Sequence, residues 1–164
     1  MNRQGFALTE LIMVIVIMGL LLAIGTLDFN SFTKKAHIER ATRELFSDFN
    51  TARMDSIYRK TRHSIVMNTD GSGYIMKRYS SADEAIAAGT TVLTQTSKYL
   101  LTKESGSNFV VGDRTFMFDT RGITSDLNTI RVNPINSGSG FDCIVIHIAQ
   151  TNIGQMVGGS CVQK

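Results

Sequence analysis

A single carboxylate interrupts the most apolar part of this 164-residue chain, and its chemistry needs an explanation. Glu10 is the only ionisable residue in segment 6–27, which has 22 residues. As a helix rising about 1.5 Å per residue, this segment would extend roughly 33 Å, enough to cross the core of a bilayer. A carboxylate inside such a helix costs at least about 2.5 kcal/mol on insertion, so Glu10 requires a partner.

The peptide bond between Gly5 and Phe6 offers that partner. If the chain is cut there, the new α-amine of Phe6 lies one helical turn from Glu10. The amine of one chain and the carboxylate of a neighbouring chain could then pair, and each would offset the desolvation of the other. A secretory signal is not indicated, because the apolar run is too long and no small-residue cleavage site follows it. A plain membrane anchor fits the length but leaves Glu10 unexplained.

The two cysteines, Cys143 and Cys161, predict a disulfide. If residues 28–164 lie on the outer side of a membrane, the cysteines face an oxidising compartment, where pairing is the default. The two cysteines are 18 residues apart, and a disulfide that closes this loop would contribute about 3 kcal/mol to stability in the chain-entropy model. We expect no metal site, because two cysteines and the nearby His147 do not supply the four ligands of zinc.

A short run of cations, Arg59, Lys60 and Arg62, could contact phosphates or another anionic partner. The competing interpretation is a solvated helix end, because cations are favoured near a helix C-terminus. His63 is interpreted in the same way, and His147 as an ordinary strand residue. The formal net charge of +3 is too small to indicate a nucleic-acid partner by itself.

The sequence contains none of the common catalytic motifs. Gly-x-Ser-x-Gly, His-Glu-x-x-His, a P-loop and Cys-x-x-Cys are all absent from it. Asn68, Asp70 and Ser72 have the spacing of a calcium loop, but Tyr79 stands where the bidentate glutamate is required, so we interpret this stretch as a turn. The sequence therefore predicts neither an enzyme nor a bound cofactor.

The elements that position these residues are a long helix and a sheet. Apolar residues recur every three or four positions after residue 28, which predicts an amphipathic helix over residues 28–62 with His37 on its solvated side. Beyond it, short runs rich in β-branched and aromatic residues alternate with turns. These runs predict an α+β fold, with the helix packed on an antiparallel sheet formed by residues 63–164. The predicted strands are 64–67, 74–79, 91–96, 109–111, 115–118, 129–132 and 143–149.

The N-terminal run from Gly5 to Leu11, followed by an unbroken apolar helix, resembles the processing site of type IV pilins and type II secretion pseudopilins. The resemblance implies that residues 1–5 are a leader removed by a prepilin peptidase, which also methylates the new N-terminus at Phe6. It further implies that Glu10 registers one subunit against the next in a filament, and that segment 6–27 is both membrane anchor and assembly helix. The subunit would cross the bacterial inner membrane once, with its globular domain in the periplasm, before it enters the filament.

The body of the chain resembles the GspH/FimT-like branch of pseudopilins and minor pilins. The matching features include Asp48-Phe49-Asn50 in the helix and Phe116-Met117-Phe118 before Arg121-Gly122. The resemblance implies a structural subunit, most simply a minor one, whose partners are other pilin subunits, the peptidase, the inner-membrane assembly platform and membrane lipid. The alternative is a pilus-borne module that binds DNA or another anion. Relatives that take up DNA use basic residues near the C-terminus, whereas residues 152–161 contain no arginine or lysine.

Overall fold

The computed structural model describes residues 8–81, 84–134 and 137–164, with the side chains of 23–28 excluded. The fold is α+β, as the sequence predicts. A single long helix, α1 (Leu8–Arg59), precedes the strands among the described residues. Helix α1 ends at Arg59 because Lys60 takes a left-handed backbone conformation, with φ 53°. The end is therefore three residues earlier than the sequence predicts.

The chain divides into two compact units, one ending at Lys34 and the other beginning at Lys35. In the first unit the large apolar side chains between Leu8 and Leu22 are each 43% to 74% exposed. Within the part of the chain that the structure describes, no helix is both long and apolar enough to cross a membrane.

The second unit contains two antiparallel sheets. The first sheet has four strands in the order β3-β2-β1-β6, and the second has six in the order β10-β9-β8-β7-β4-β5. The strands are β1 (His63–Met67), β2 (Gly73–Arg78), β3 (Thr90–Thr96), β4 (Leu101–Ser105), β5 (Asn108–Val110), β6 (Arg114–Phe118), β7 (Asn128–Val132), β8 (Cys143–Ile146), β9 (Thr151–Val157) and β10 (Ser160–Gln163).

Each of the seven predicted strands corresponds to an observed one, and β4, β9 and β10 were not predicted. The predicted strand 143–149 is too long, because β8 stops at Ile146 and the amide of His147 donates to the carbonyl of Gln150 in a turn. The interpretation of His147 as a strand residue is therefore wrong.

The core lies between one face of α1 and both sheets. Helix residues Ile38, Leu45 and Phe49 are at most 1% exposed. The Phe49 ring packs edge-on against Phe116 and Phe118, with ring centroids 5.2 Å and 6.3 Å away. The apolar stripe that predicts the helix is therefore the surface that packs on the sheets, which confirms this part of the prediction.

Candidate functional site

The predicted processing and assembly residues lie at the start of the chain. Gly5 and Phe6 fall outside the described residues. Glu10 lies in the first described turn of α1, and its side chain is exposed. The residues after it expose apolar side chains on all sides of the helix. Such a surface is typical of a site that lipid or another protein covers, and a carboxylate within it would need a cationic partner there.

The predicted disulfide between Cys143 and Cys161 is confirmed. Cys143 belongs to β8 and Cys161 to β10, so the bond reaches across β9, which lies between them. Gly154 of β9 is the register partner of Cys143, and Met156 is the partner of Cys161. The disulfide therefore fixes the C-terminal hairpin to the strand beside it.

The predicted cations do not form one free surface. Arg59 is exposed and lies 3.7 Å from a carboxylate oxygen of Asp55, one helical turn earlier. Lys60 is exposed at the end of the helix. Arg62 has a different role, because its guanidinium contacts the protein itself.

Arg62 holds the segment that follows β2. Its Nη2 donates to the carbonyls of Glu84, at 2.6 Å, and Ser81, at 3.3 Å. The guanidinium also lies 5.1 Å from the ring centroid of Tyr79, which is fully buried. A guanidinium engaged in this way has fewer donors left for a phosphate.

His63 is not a solvated cation at a helix end, so that interpretation is wrong. It is the first residue of β1 and only 1% exposed. Burial lowers its pKa, and the positive charges of Arg59 and Arg78 lower it further, while a hydrogen bond to the carbonyl of Thr61 and the charge of Asp55 oppose the shift. The lowered pKa favours the neutral form of His63.

Two polar contacts that the sequence does not indicate join α1 to the first sheet. The amide Nε2 of Gln95 donates to Oε1 of Glu44 at 2.7 Å. The hydroxyl of Tyr74 donates to Oδ2 of Asp48 at 2.6 Å. Burial raises the pKa of Asp48, and the hydrogen bond from Tyr74 opposes that shift. Both carboxylates lie on the helix face beside β2 and β3. Through these two hydrogen bonds, each already has a partner within the protein.

Comparison with models of protein families, with curated proteins and with solved structures finds no match to this chain.

Proposed function

We propose that this protein is a structural subunit, most simply a minor one, of a type IV pilus or a type II secretion pseudopilus. The observation that carries the proposal is the exposed carboxylate of Glu10 in an apolar helix whose side chains are exposed from Leu8 to Leu22. An apolar surface of this extent marks a site that other molecules cover. Neighbouring subunits in a filament would cover it without any catalytic chemistry.

Processing precedes assembly in this proposal. A prepilin peptidase cuts between Gly5 and Phe6 and methylates the new amine. Before assembly the subunit lies in the bacterial inner membrane through segment 6–27, with residues 28–164 in the periplasm. The sequence of this segment supports membrane insertion, because Glu10 is its only ionisable residue. The confirmed disulfide supports an oxidising compartment for the second unit.

Assembly pairs Glu10 of one subunit with the Phe6 amine of another. The pairing offsets the cost of removing both charges from water, and it fixes the register of neighbouring helices. The amphipathic part of α1 is anchored in the core of the second unit. The subunit therefore carries a folded domain into the filament.

The test compares full-length Glu10→Ala with wild type in cells that assemble the filament. We expect cleavage at Gly5 and membrane insertion to persist, and the fraction of the chain in sheared filaments to fall severalfold. Glu104→Ala is the matched control, because Glu104 is an exposed carboxylate on β4. Normal incorporation of Glu10→Ala would contradict the pairing of amine and carboxylate. An uncut wild-type N-terminus, read by mass spectrometry, would overturn the assignment to pilin-like subunits.

The alternative function, binding of DNA or another anion through Arg59, Lys60 and Arg62, gains no support from the observed contacts. Arg62 donates to backbone carbonyls, and Arg59 lies near Asp55. We therefore do not propose it.

A further inference from the structure

A cavity of about 150 Å³ lies between α1 and the segment that follows β3. His37, Arg40 and Glu44 line it from the helix. Lys98 and Tyr99 line it from the segment after β3. This volume is large enough for a small ligand group, since one water molecule needs only about 10–15 Å³ of such space.

The cationic side chains that line this cavity have no bonding partner within the described residues. Among the described residues, His37, Arg40 and Lys98 have neither a hydrogen bond nor an ion pair, and all three are exposed. The carboxylate that lines the cavity differs, because Nε2 of Gln95 donates to Oε1 of Glu44 at 2.7 Å. The cavity therefore presents free cationic donors, while Oε1 of Glu44 already accepts a hydrogen bond.

Lys98 lies on a segment that hydrogen bonds hold in place. The amide of Ser97 donates to the carbonyl of Ser72 at 2.7 Å, and the amide of Leu101 donates to the carbonyl of Gly71 at 2.9 Å. The Ser97 hydroxyl also donates to the carbonyl of Tyr99 at 2.6 Å. The backbone that presents Lys98 is thus fixed against the β1–β2 turn, which reduces the entropy lost when a ligand binds.

We propose that this cavity binds a phosphate group. A guanidinium and an ammonium from opposite walls can donate to different oxygens of one phosphate, and Arg40 can use two of its nitrogens at once. His37 adds a third donor when it carries a proton on the nitrogen that faces the ligand. The carboxylate of Glu44 opposes an anion in the same cavity, so it limits the affinity. The phosphate belongs either to a free phosphate or to a lipid head group.

The experiment uses the full-length chain in micelles of a neutral detergent, with binding measured by calorimetry at constant ionic strength. One arm titrates inorganic phosphate, and the other titrates a short-chain phosphatidylglycerol, with short-chain phosphatidylcholine as its comparison. Saturable binding in the first arm identifies free phosphate, and binding in the second arm alone identifies the lipid head group. The absence of saturable binding in both arms overturns the proposal.

Variants locate the site. The double variant Arg40→Gln with Lys98→Gln should weaken binding about tenfold or more, because hydrogen bonds to charged groups are lost. Glu44→Gln should tighten binding, since it removes the opposing charge. The double variant Arg59→Gln with Lys60→Gln is the matched control, because it also removes two exposed positive charges, and it should leave binding unchanged. Equal weakening by this control, or no effect of the variant in the cavity, would contradict a site in this cavity.

This proposal does not depend on the proposed assembly role. Phosphate binding is measured on the isolated chain, whereas the role of Glu10 is measured by incorporation into filaments. Either result can fail while the other holds. The melting temperature of each variant verifies that it is folded, and we expect little change, because Arg40 and Lys98 are exposed and uncommitted among the described residues.

Discussion

The hydroxyl of Tyr74 on β2 donates a 2.6 Å hydrogen bond to the carboxylate of Asp48 on α1. Tyr74 is only 4% exposed, so the contact lies where the helix meets the first sheet. Burial is the main cause that raises the pKa of Asp48, and the charge of Glu44 raises it further. The contact therefore joins helix to sheet while it keeps a partly buried charge at neutral pH.

Replacing Asp48 by Asn should stabilise the protein at pH 7. The folded-state pKa of Asp48 lies above its unfolded value, so the folded state binds the proton more tightly, and stability falls as pH rises through that folded pKa. Asparagine keeps an oxygen that accepts from the Tyr74 hydroxyl, and it removes the cost of partly burying an ionised carboxylate. The melting temperature of full-length Asp48→Asn should exceed that of wild type at pH 7, and the difference should shrink as the pH approaches 4.

The matched variant at the other end of the bond is Tyr74→Phe. It leaves a carboxylate oxygen of Asp48 without its donor, so it should destabilise the protein by about 1–3 kcal/mol at pH 7. If Tyr74→Phe left the stability unchanged and Asp48→Asn lowered it, the Tyr74 hydroxyl would not be the group that stabilises the Asp48 carboxylate.

Replacing Lys60 by Gly should also stabilise the protein. Lys60 ends α1 with φ 53°, a conformation that costs a residue with a Cβ about 1–2 kcal/mol and costs glycine almost nothing. Glycine also has more conformational freedom in the unfolded chain, which lowers the free energy of unfolding by about 0.5–1 kcal/mol. The net expectation is a gain of about 0.5 kcal/mol in the free energy of unfolding. Lys60→Ala, which keeps the Cβ and also removes the charge, is the control and should give no such gain.

The sequence could predict the helix and most strands because their patterns follow directly from burial. Ile38, Leu45 and Phe49 repeat at helical spacing, since one face of α1 packs on the sheets. Strand β9 was missed for a physical reason. It contains Asn152 and Gly154, which are typical of turns, yet the glycine is required by strand β10 beside it. Local propensity could not reveal that requirement.

The candidate site, too, depends on tertiary contacts that the local sequence does not reveal. Sequence proximity groups Arg59, Lys60 and Arg62, but the carbonyls that engage Arg62 belong to a segment about twenty residues later. Conversely, Arg40 and Lys98 are far apart in sequence, and only the packing of α1 beside β3 places them around one cavity. The disulfide is predictable because the chain has just two cysteines. Charge clusters are not predictable in this way, because they depend on tertiary contacts.

Replacing Gly154 by Ala should disrupt the C-terminal hairpin. A Cβ at this position would lie 2.4 Å from the carbonyl oxygen of Val162 and 2.9 Å from Sγ of Cys161. Strand β10 must move to accommodate it, which we expect to cost about 1–3 kcal/mol. The melting temperature should fall, and the disulfide should form more slowly on oxidation of the reduced chain. Val157→Ala is the control, because Val157 is an exposed residue of the same strand. Equal behaviour of the two variants would contradict the close approach at Gly154.

His63 should make the protein less stable as the medium becomes acidic. Its folded-state pKa lies below its unfolded value, so the folded state binds fewer protons, and the stabilisation present above about pH 6.5 is lost as the pH falls through the folded pKa. An NMR titration of the His63 ring in the full-length chain should give a midpoint below 6.5. Arg78→Gln should raise that midpoint, because the positive charge of Arg78 lowers the pKa, and Asp55→Asn should lower it. A midpoint at or above 6.5 in the wild type would show that burial does not hold His63 in the neutral form.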